Sequence, residues 1–256
     1  MNDTKHTLLL RLAGPMQSWG TQSRFSVRDT ASEPTKSGVI GLICAALGRP
    51  RSAPIGDLAS LRMGVRVDRE GTKERDYHTA QRVLKAKAKL SSLRRGSPRK
   101  SDIKETETSE RYYLSGARFT VGFEGREADL GLLREVHEAL ANPHWPLFLG
   151  RKAFPPGLPP HLPDHGLKED SALIEALESR PWSRGARQQT PDTLRYAVGI
   201  GKASNGNGPA EEGSALEDEI EVRRTQPDQP VSFGSRQFKP RTIGILHRPL
   251  ENVPVQ

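Results

Sequence analysis

The chain has 256 residues, and its 39 Lys and Arg outnumber 31 Asp and Glu to leave a formal net charge of +8, enough length for one elaborated domain or two small ones. Its single cysteine, Cys44, excludes an intramolecular disulfide. No apolar run approaches the roughly 20 residues of a membrane span, and the three leucines before Arg11 do not make a signal-peptide core, so the expectation is a cytoplasmic protein with no membrane partner.

Taken in chain order, residues 7–13 read as a buried strand whose apolar pattern is ended by Gly14 and Pro15, opening a tight loop to Gly20. Pro34-Thr35-Lys36-Ser37-Gly38 then reads as a helix start. Thr35 or Ser37 can cap its free amides, and Lys36 adds a cation to an end that attracts phosphate. The helix, 36–48, is apolar nearly all round. A strand at 61–68 follows, then a long basic insertion, a strand at 116–124, a helix at 130–141 and a short strand near 147–149. Phe119, Val121 and Phe123 alternate with Arg118, Thr120 and Gly122, giving one apolar and one mostly polar face. Leu132, Leu133, Val136 and Leu140 recur at helical spacing, with Asp129 as a cap and Asn142-Pro143 as a stop.

This βαββαβ order is an α+β pattern, that of a ferredoxin-like or RRM-like sheet with two helices on one face and the other face free for a ligand. Beyond it, Pro155, Pro156, Pro159, Pro160 and Pro163 make a stiff connection. A short helix near 171–178 and strands near 194–200, 218–224 and 242–247 complete a β-rich C-terminal extension. The segment Ser204-Asn205-Gly206-Asn207-Gly208-Pro209 reads as a mobile loop. The expected division is 1–150 for the first domain, with an inserted arm at about 73–114, and 151–256 for the extension.

The charge is concentrated. Between Arg82 and Lys104 lie nine basic residues, among them Arg94, Arg95, Arg99 and Lys100, against one acid, Asp102. Such a segment inserted between two strands projects as an arm suited to gripping phosphates, with Gly96-Ser97-Pro98 as a hairpin tip. Two other places carry nucleic-acid chemistry. In the Gly14–Gly20 loop, Trp19 can stack on an unpaired base and Gln17 can read its edge. At Gly150-Arg151-Lys152 a glycine lets backbone approach a phosphate that two cations neutralise. Arg236 and Gln237 are weaker candidates that can equally serve to close the C-terminal sheet. Tyr77-His78 could supply acid–base chemistry for metal-independent RNA cleavage. His161 and His165 have a His-x-x-x-His spacing, but the prolines around them forbid a helix aiming both rings at one metal. There is no P-loop, dinucleotide fingerprint or Gly-x-Ser-x-Gly elbow, and no cofactor or metal is expected.

The opening phrases Leu8 to Gly20 and Pro34 to Gly38 together resemble the CasD family, the RAMP-superfamily subunit of type I-E CRISPR Cascade. Asp76-Tyr77-His78-Thr79, Arg111-Tyr112-Tyr113-Leu114 leading into Ala117-Arg118-Phe119-Thr120-Val121, Leu149-Gly150-Arg151-Lys152 and Arg236-Gln237-Phe238 extend the likeness over most of the chain. The resemblance implies a RAMP fold and a non-catalytic, crRNA-binding subunit that caps the 5′ handle of the guide. It also implies contacts with the large and backbone subunits, and with target DNA only inside the complex. The basic arm becomes the family's thumb, and Gly150-Arg151-Lys152 its glycine-and-arginine loop. Gln17, Trp19, Lys36, Ser37, His78, Arg94, Arg95, Arg99, Lys100, Arg111, Gly150, Arg151 and Lys152 are the expected RNA contacts. The alternative is a repeat-specific endoribonuclease like the related type I-C subunits, but Ala31-Ser32-Glu33-Pro34 lacks the tyrosine expected before Thr35.

Overall fold

A computed structural model describes residues 4–21, 23–24, 26–85, 100–185, 189–200 and 215–256. The leucine-rich start forms β1 (Lys5–Ala13), which buries Leu8, Leu10 and Leu12 on one face and Leu9 on the other. Short strands β2 (Met16–Gln17), β3 (Ser23–Arg24) and β4 (Val27–Arg28) follow. Helix α1 (Lys36–Leu47) starts where Thr35 Oγ1 accepts the Gly38 amide at 3.3 Å and stops at Gly48, whose φ of +70° is the left-handed value a glycine tolerates. Then come α2 (Gly56–Ser60), β5 (Arg62–Arg69), β6 (Thr72–Leu84), β7 (Ile103–Ser115), β8 (Arg118–Arg126) and α3 (Leu130–Ala141). The C-terminal part supplies β9 (Leu167–Lys168), α4 (Leu173–Ser179), β10 (Thr193–Ile200), α5 (Ala215–Asp218), β11 (Val222–Ser232) and β12 (Gln237–Pro249).

Seven strands make one antiparallel sheet in the order β11-β12-β10-β5-β8-β1-β9. The stretch β5-β8-β1-β9, with α1 and α3 on one face, is the expected ferredoxin-like unit. Its fourth strand lies elsewhere than expected. Residues 147–149 form no strand, because the Leu149 amide turns to Phe154 O at 2.8 Å and its carbonyl accepts from the Ser18 amide at 3.1 Å, closing a tight loop instead of a ladder. The proline-rich segment then runs along the β1 edge, where Pro160 O and Gly166 O accept the Arg11 and Leu9 amides, and β9 takes the fourth place.

The second sheet face is not free. Leu9, Leu173, Ala176, Leu177, Trp182, Tyr196 and Leu246 form a second core there, and Thr120, on the face read as polar, is fully buried. Helix α4 is held onto that face at both ends: Glu124 Oε2 accepts the Leu173 amide at 2.7 Å, while Arg66 Nη1 donates to Leu177 O at 2.5 Å and Arg180 O at 2.7 Å. An anion at the helix start and a cation at its end match the peptide dipoles. The C-terminal half is therefore no appendix to a finished domain: β10, β11 and β12 widen the first sheet and α4 covers it.

The inserted arm is a long antiparallel hairpin, β6 on β7, in register from Thr72↔Ser115 to Leu84↔Ile103. Strand β7 also pairs with β2 and, in parallel, with β4, so the arm is rooted in a small second sheet. Residues 86–99, with Arg94, Arg95, Arg99 and the proposed tip, lie outside the described residues, as does the Ser204–Pro209 loop. Lys100 opens a short 3-10 turn into β7. Arg236, at φ +53°, sits in the turn between β11 and β12, and so belongs to the closing of the C-terminal sheet. Among the described residues no helix is long and apolar enough to cross a membrane.

Candidate nucleic-acid interface

Three separate segments meet where the Gly14–Gly20 turn, the root of the arm and the 149–151 loop touch. Strand register sets Arg28 of β4 beside Arg111 of β7, and Arg111 opposite Asp76 of β6. Directly paired residues share a sheet face, so Asp76, Arg111 and Arg28 form one row. Arg151 comes over this row from the loop after α3. Its Nη2 donates to Tyr112 O at 2.8 Å and Arg28 O at 3.3 Å, and its guanidinium lies 5.5 Å from the centre of the Phe154 ring.

Gly150 makes this meeting possible. It adopts φ +88°, and a Cβ there would sit 1.8 Å from Ser18 O. The glycine turn and the glycine-arginine loop therefore pack backbone against backbone, with the Ser18 hydroxyl donating to Tyr112 O at 3.1 Å. The result is a cleft of ≈ 350 Å³ lined by Ser18, Gly20, Arg28, Asp29, Arg111, Gly150 and Arg151.

Three guanidiniums in one cleft raise one another's electrostatic energy. The Arg151 pKa is pulled below its ordinary value by burial first and then by Arg111, with Arg28 adding to the effect and Asp76 opposing it. Burial would raise the Asp29 carboxyl, but hydrogen bonds from Lys73 Nζ at 2.9 Å and the Thr30 amide at 2.7 Å, with the Lys73 charge, hold it below its usual range. Lys73 thus occupies Asp29 and leaves the arginines available. An anion entering the cleft would relieve their mutual repulsion, and the forked guanidinium suits a phosphate.

Of the expected contacts, Arg111, Gly150 and Arg151 are brought together here. Lys152 is exposed at the rim of the same loop. His78 lies one residue pair further out on the Arg111 face, opposite Ser109, half-buried, with Nδ1 lacking a hydrogen-bond partner. Tyr77 is its neighbour in an extended strand, so the two side chains point to opposite faces and cannot converge on one phosphate. Arg28 was missed, since its two-residue strand carries no periodic signal.

Three expectations are corrected. Trp19 is 1% exposed and packs on the first turn of α1, where a Gly38 Cβ would meet its ring at 2.9 Å. Gln17 is fully buried: Nε2 donates to Leu12 O and Ala117 O, and Oε1 accepts from the Trp19 indole at 3.2 Å. Neither offers a face or an edge to a base. Lys36 is also buried. Its Nζ donates to Ala59 O at 2.7 Å, and its amide is taken by Asp228 Oδ2 at 2.7 Å. The α1 start thus receives its anion from within the chain. Ser37 beside it is half-buried, and Thr35 rather than Ser37 provides the cap.

His161 partners His137 instead of His165, with Nε2 atoms 3.4 Å apart. Among the described residues, no group of three or more His, Cys, Asp or Glu could hold a metal ion.

Comparison with known proteins agrees with this architecture. The family CRISPR-associated protein (Cas_Cas5) matches residues 7–244. The CRISPR system Cascade subunit CasD of Escherichia coli (strain K12) is 34% identical over 159 residues, which is 58% of this chain and 66%, just under two thirds, of that protein. A solved structure described as a crystal structure of a Cas protein superposes with a TM-score of 0.66 at 42% identity, covering 97% of each chain. A chain from a CRISPR RNA-guided surveillance complex does so with the same TM-score at 31% identity, covering 96% of this chain and 92% of that one. With a family match that spans residues 7–244, this chain belongs to the Cas5 family of CRISPR-associated proteins.

Proposed function

We propose that the protein is a CasD-type subunit of a type I-E Cascade complex, non-catalytic, that caps the 5′ handle of the guide RNA. The cleft carries this reading: three arginines from β4, β7 and the 149–151 loop surround space floored by glycine backbone, an arrangement suited to RNA phosphates rather than to a small neutral substrate. Its relatives supply the setting, one being named a Cascade subunit and another belonging to an RNA-guided surveillance complex. The arm, with Arg94, Arg95, Arg99 and Lys100, would extend the grip, while other surfaces meet the large and backbone subunits. Target recognition would be left to guide pairing, in keeping with RNA-guided systems generally. The complex would work in the cytoplasm.

The test is reconstitution of the complex around its guide, with retention of crRNA measured against salt. Engagement of about four phosphates by the arm alone contributes a log–log slope on the order of −3. Replacing Arg28, Arg111 and Arg151 by alanine should flatten the slope by about 2 and release the handle, and neutralising Arg94, Arg95, Arg99 and Lys100 should flatten it further. Normal guide retention after both sets of changes overturns the assignment. Metal-independent cutting of repeat RNA that His78→Ala abolishes would overturn its non-catalytic part.

A further inference from the structure

On the far side of the sheet from α1, a recess of ≈ 50 Å³ opens between Arg11 of β1, Arg118 of β8 and Arg180 after α4, with Asp68, Leu158 and Pro181 in its walls. Among the described residues its guanidiniums outnumber its carboxylates. Asp68 accepts from two guanidiniums, Arg66 Nε at 2.7 Å and Arg180 Nη1 at 3.3 Å. Arg11 donates to a carbonyl, Pro159 O, at 3.1 and 3.3 Å from Nη2 and Nε. The half-buried Arg118 guanidinium makes no hydrogen bond or ion pair among the described residues. Burial pulls the Arg11 pKa below its ordinary value, and at Arg180 burial, Arg66 and Arg11 outweigh the upward pull of Asp68. In the same row, where Arg66 pairs with Thr120 and Thr120 with Arg11, the fully buried Arg66 leaves Nη2 without a partner.

Structural need explains Arg66 and Arg180, which tie α4 to the sheet. It does not explain Arg118, which ties nothing down among the described residues. Asp68 is the one carboxylate in a wall that carries three guanidiniums, so the recess favours a second anion.

We propose that this recess binds a backbone phosphate of the guide RNA, at a second site separate from the arginine cleft. Arg118 and Arg11 would supply the charge, and Leu158, 44% exposed, would pack the adjoining sugar. The recess lies at the end of β1 that leads directly into the Gly14–Gly20 turn, and Arg118 pairs with Ala13, the last residue before it. The cleft and the recess therefore flank one turn, and a strand leaving the first can reach the second. The apolar wall fits a nucleotide better than a carboxylate of a neighbouring subunit. This inference rests on the proposed RNA role.

The experiment uses the assembled complex. Arg118→Ala removes no side-chain hydrogen bond or ion pair among the described residues and should leave stability unchanged, yet make the salt slope of guide retention shallower by about 0.7, the contribution of one phosphate on a single strand. A photoreactive residue at position 158 should crosslink to RNA. An unchanged slope, a crosslink to another protein subunit or no crosslink overturns the proposal. Arg151→Ala run alongside separates the two readings. If it weakens retention while Arg118→Ala does not, only the second site falls; if neither variant acts, the RNA-handle reading falls with it.

Discussion

Asp228 Oδ2 accepts the backbone amide of Lys36 at 2.7 Å, across 192 positions of sequence. The same carboxylate, 1% exposed, takes Arg241 through both oxygens at 3.0 and 2.9 Å. The first turn of α1 thus has the anion that such a start attracts, and β11 and β12 are pinned to it. A phosphate arriving there would have to displace a buried carboxylate that is bonded through both oxygens, which counts against this helix start as a phosphate site.

Burial leaves Lys36 with a pKa near 7, pulled down by desolvation first and by Arg241 next, with Asp228 opposing. The folded state therefore binds fewer protons than the unfolded chain between about pH 7 and the ordinary lysine value of 10.5, and stability must rise with pH through that window. Below pH 7 the full penalty of a buried ammonium applies. Lys36→Met should flatten the rise and stabilise the protein at pH 6 by a few kcal/mol, because Ala59 O keeps its bond from Gln229 Nε2 at 2.6 Å. Urea midpoints from pH 6 to 10 for both proteins check this, and parallel profiles would count against it.

Trp19 separates a structural from a stacking role. Its ring is enclosed and its indole nitrogen is bonded to Gln17, so Trp19→Ala should cost about 3–5 kcal/mol of stability. At temperatures where the variant remains folded, the salt slope of guide binding should match the parent. A large loss of RNA affinity with an unchanged denaturation midpoint would put the indole against a base after all.

Arg66 is the cation beneath α4. Arg66→Ala takes one of two guanidiniums from Asp68 and removes this donor from the carbonyls of Leu177 and Arg180 in a buried site, which should cost on the order of 3–5 kcal/mol. Amides of residues 173–179 should exchange faster before the rest of the sheet does. Uniform exchange across the molecule would mean that α4 docks on its apolar contacts alone.

What could be read from the chain and what could not divides along a physical line. Alternation at Leu8 to Leu12, the Thr35 cap and the helical spacing of Leu133, Val136 and Leu140 are local signals, and they placed β1, α1 and α3 within a few residues. The misplaced fourth strand and the covered second face are non-local. Nothing near Leu149 reveals that its carbonyl meets the Ser18 amide, and nothing near Glu124 or Arg66 reveals a seven-residue helix between them. The interface followed the same rule. Arg111 and Arg151 stood out in the short phrases that carry the family resemblance, whereas Arg28 acquires meaning only through its parallel pairing with Arg111. Trp19 and Gln17 misled because residue types that recognise bases also satisfy a polar spot in a core.

Gly150 joins fold and site most tightly, and it gives the sharpest test. At φ +88° a side chain is strained, and its Cβ would overlap Ser18 O at 1.8 Å, a backbone atom that cannot swing aside. Gly150→Ala must therefore push the 149–151 loop off the Gly14–Gly20 turn. The Ser18-to-Leu149 bond would break and Arg151 would lose Tyr112 O, moving one of the three guanidiniums out of the cleft. We expect a stability loss of about 1–3 kcal/mol together with weaker guide retention, as large as that of Arg151→Ala and not additive with it in the double variant. Additive losses would show that the loop and Arg151 act on RNA independently, and that the glycine serves the turn alone.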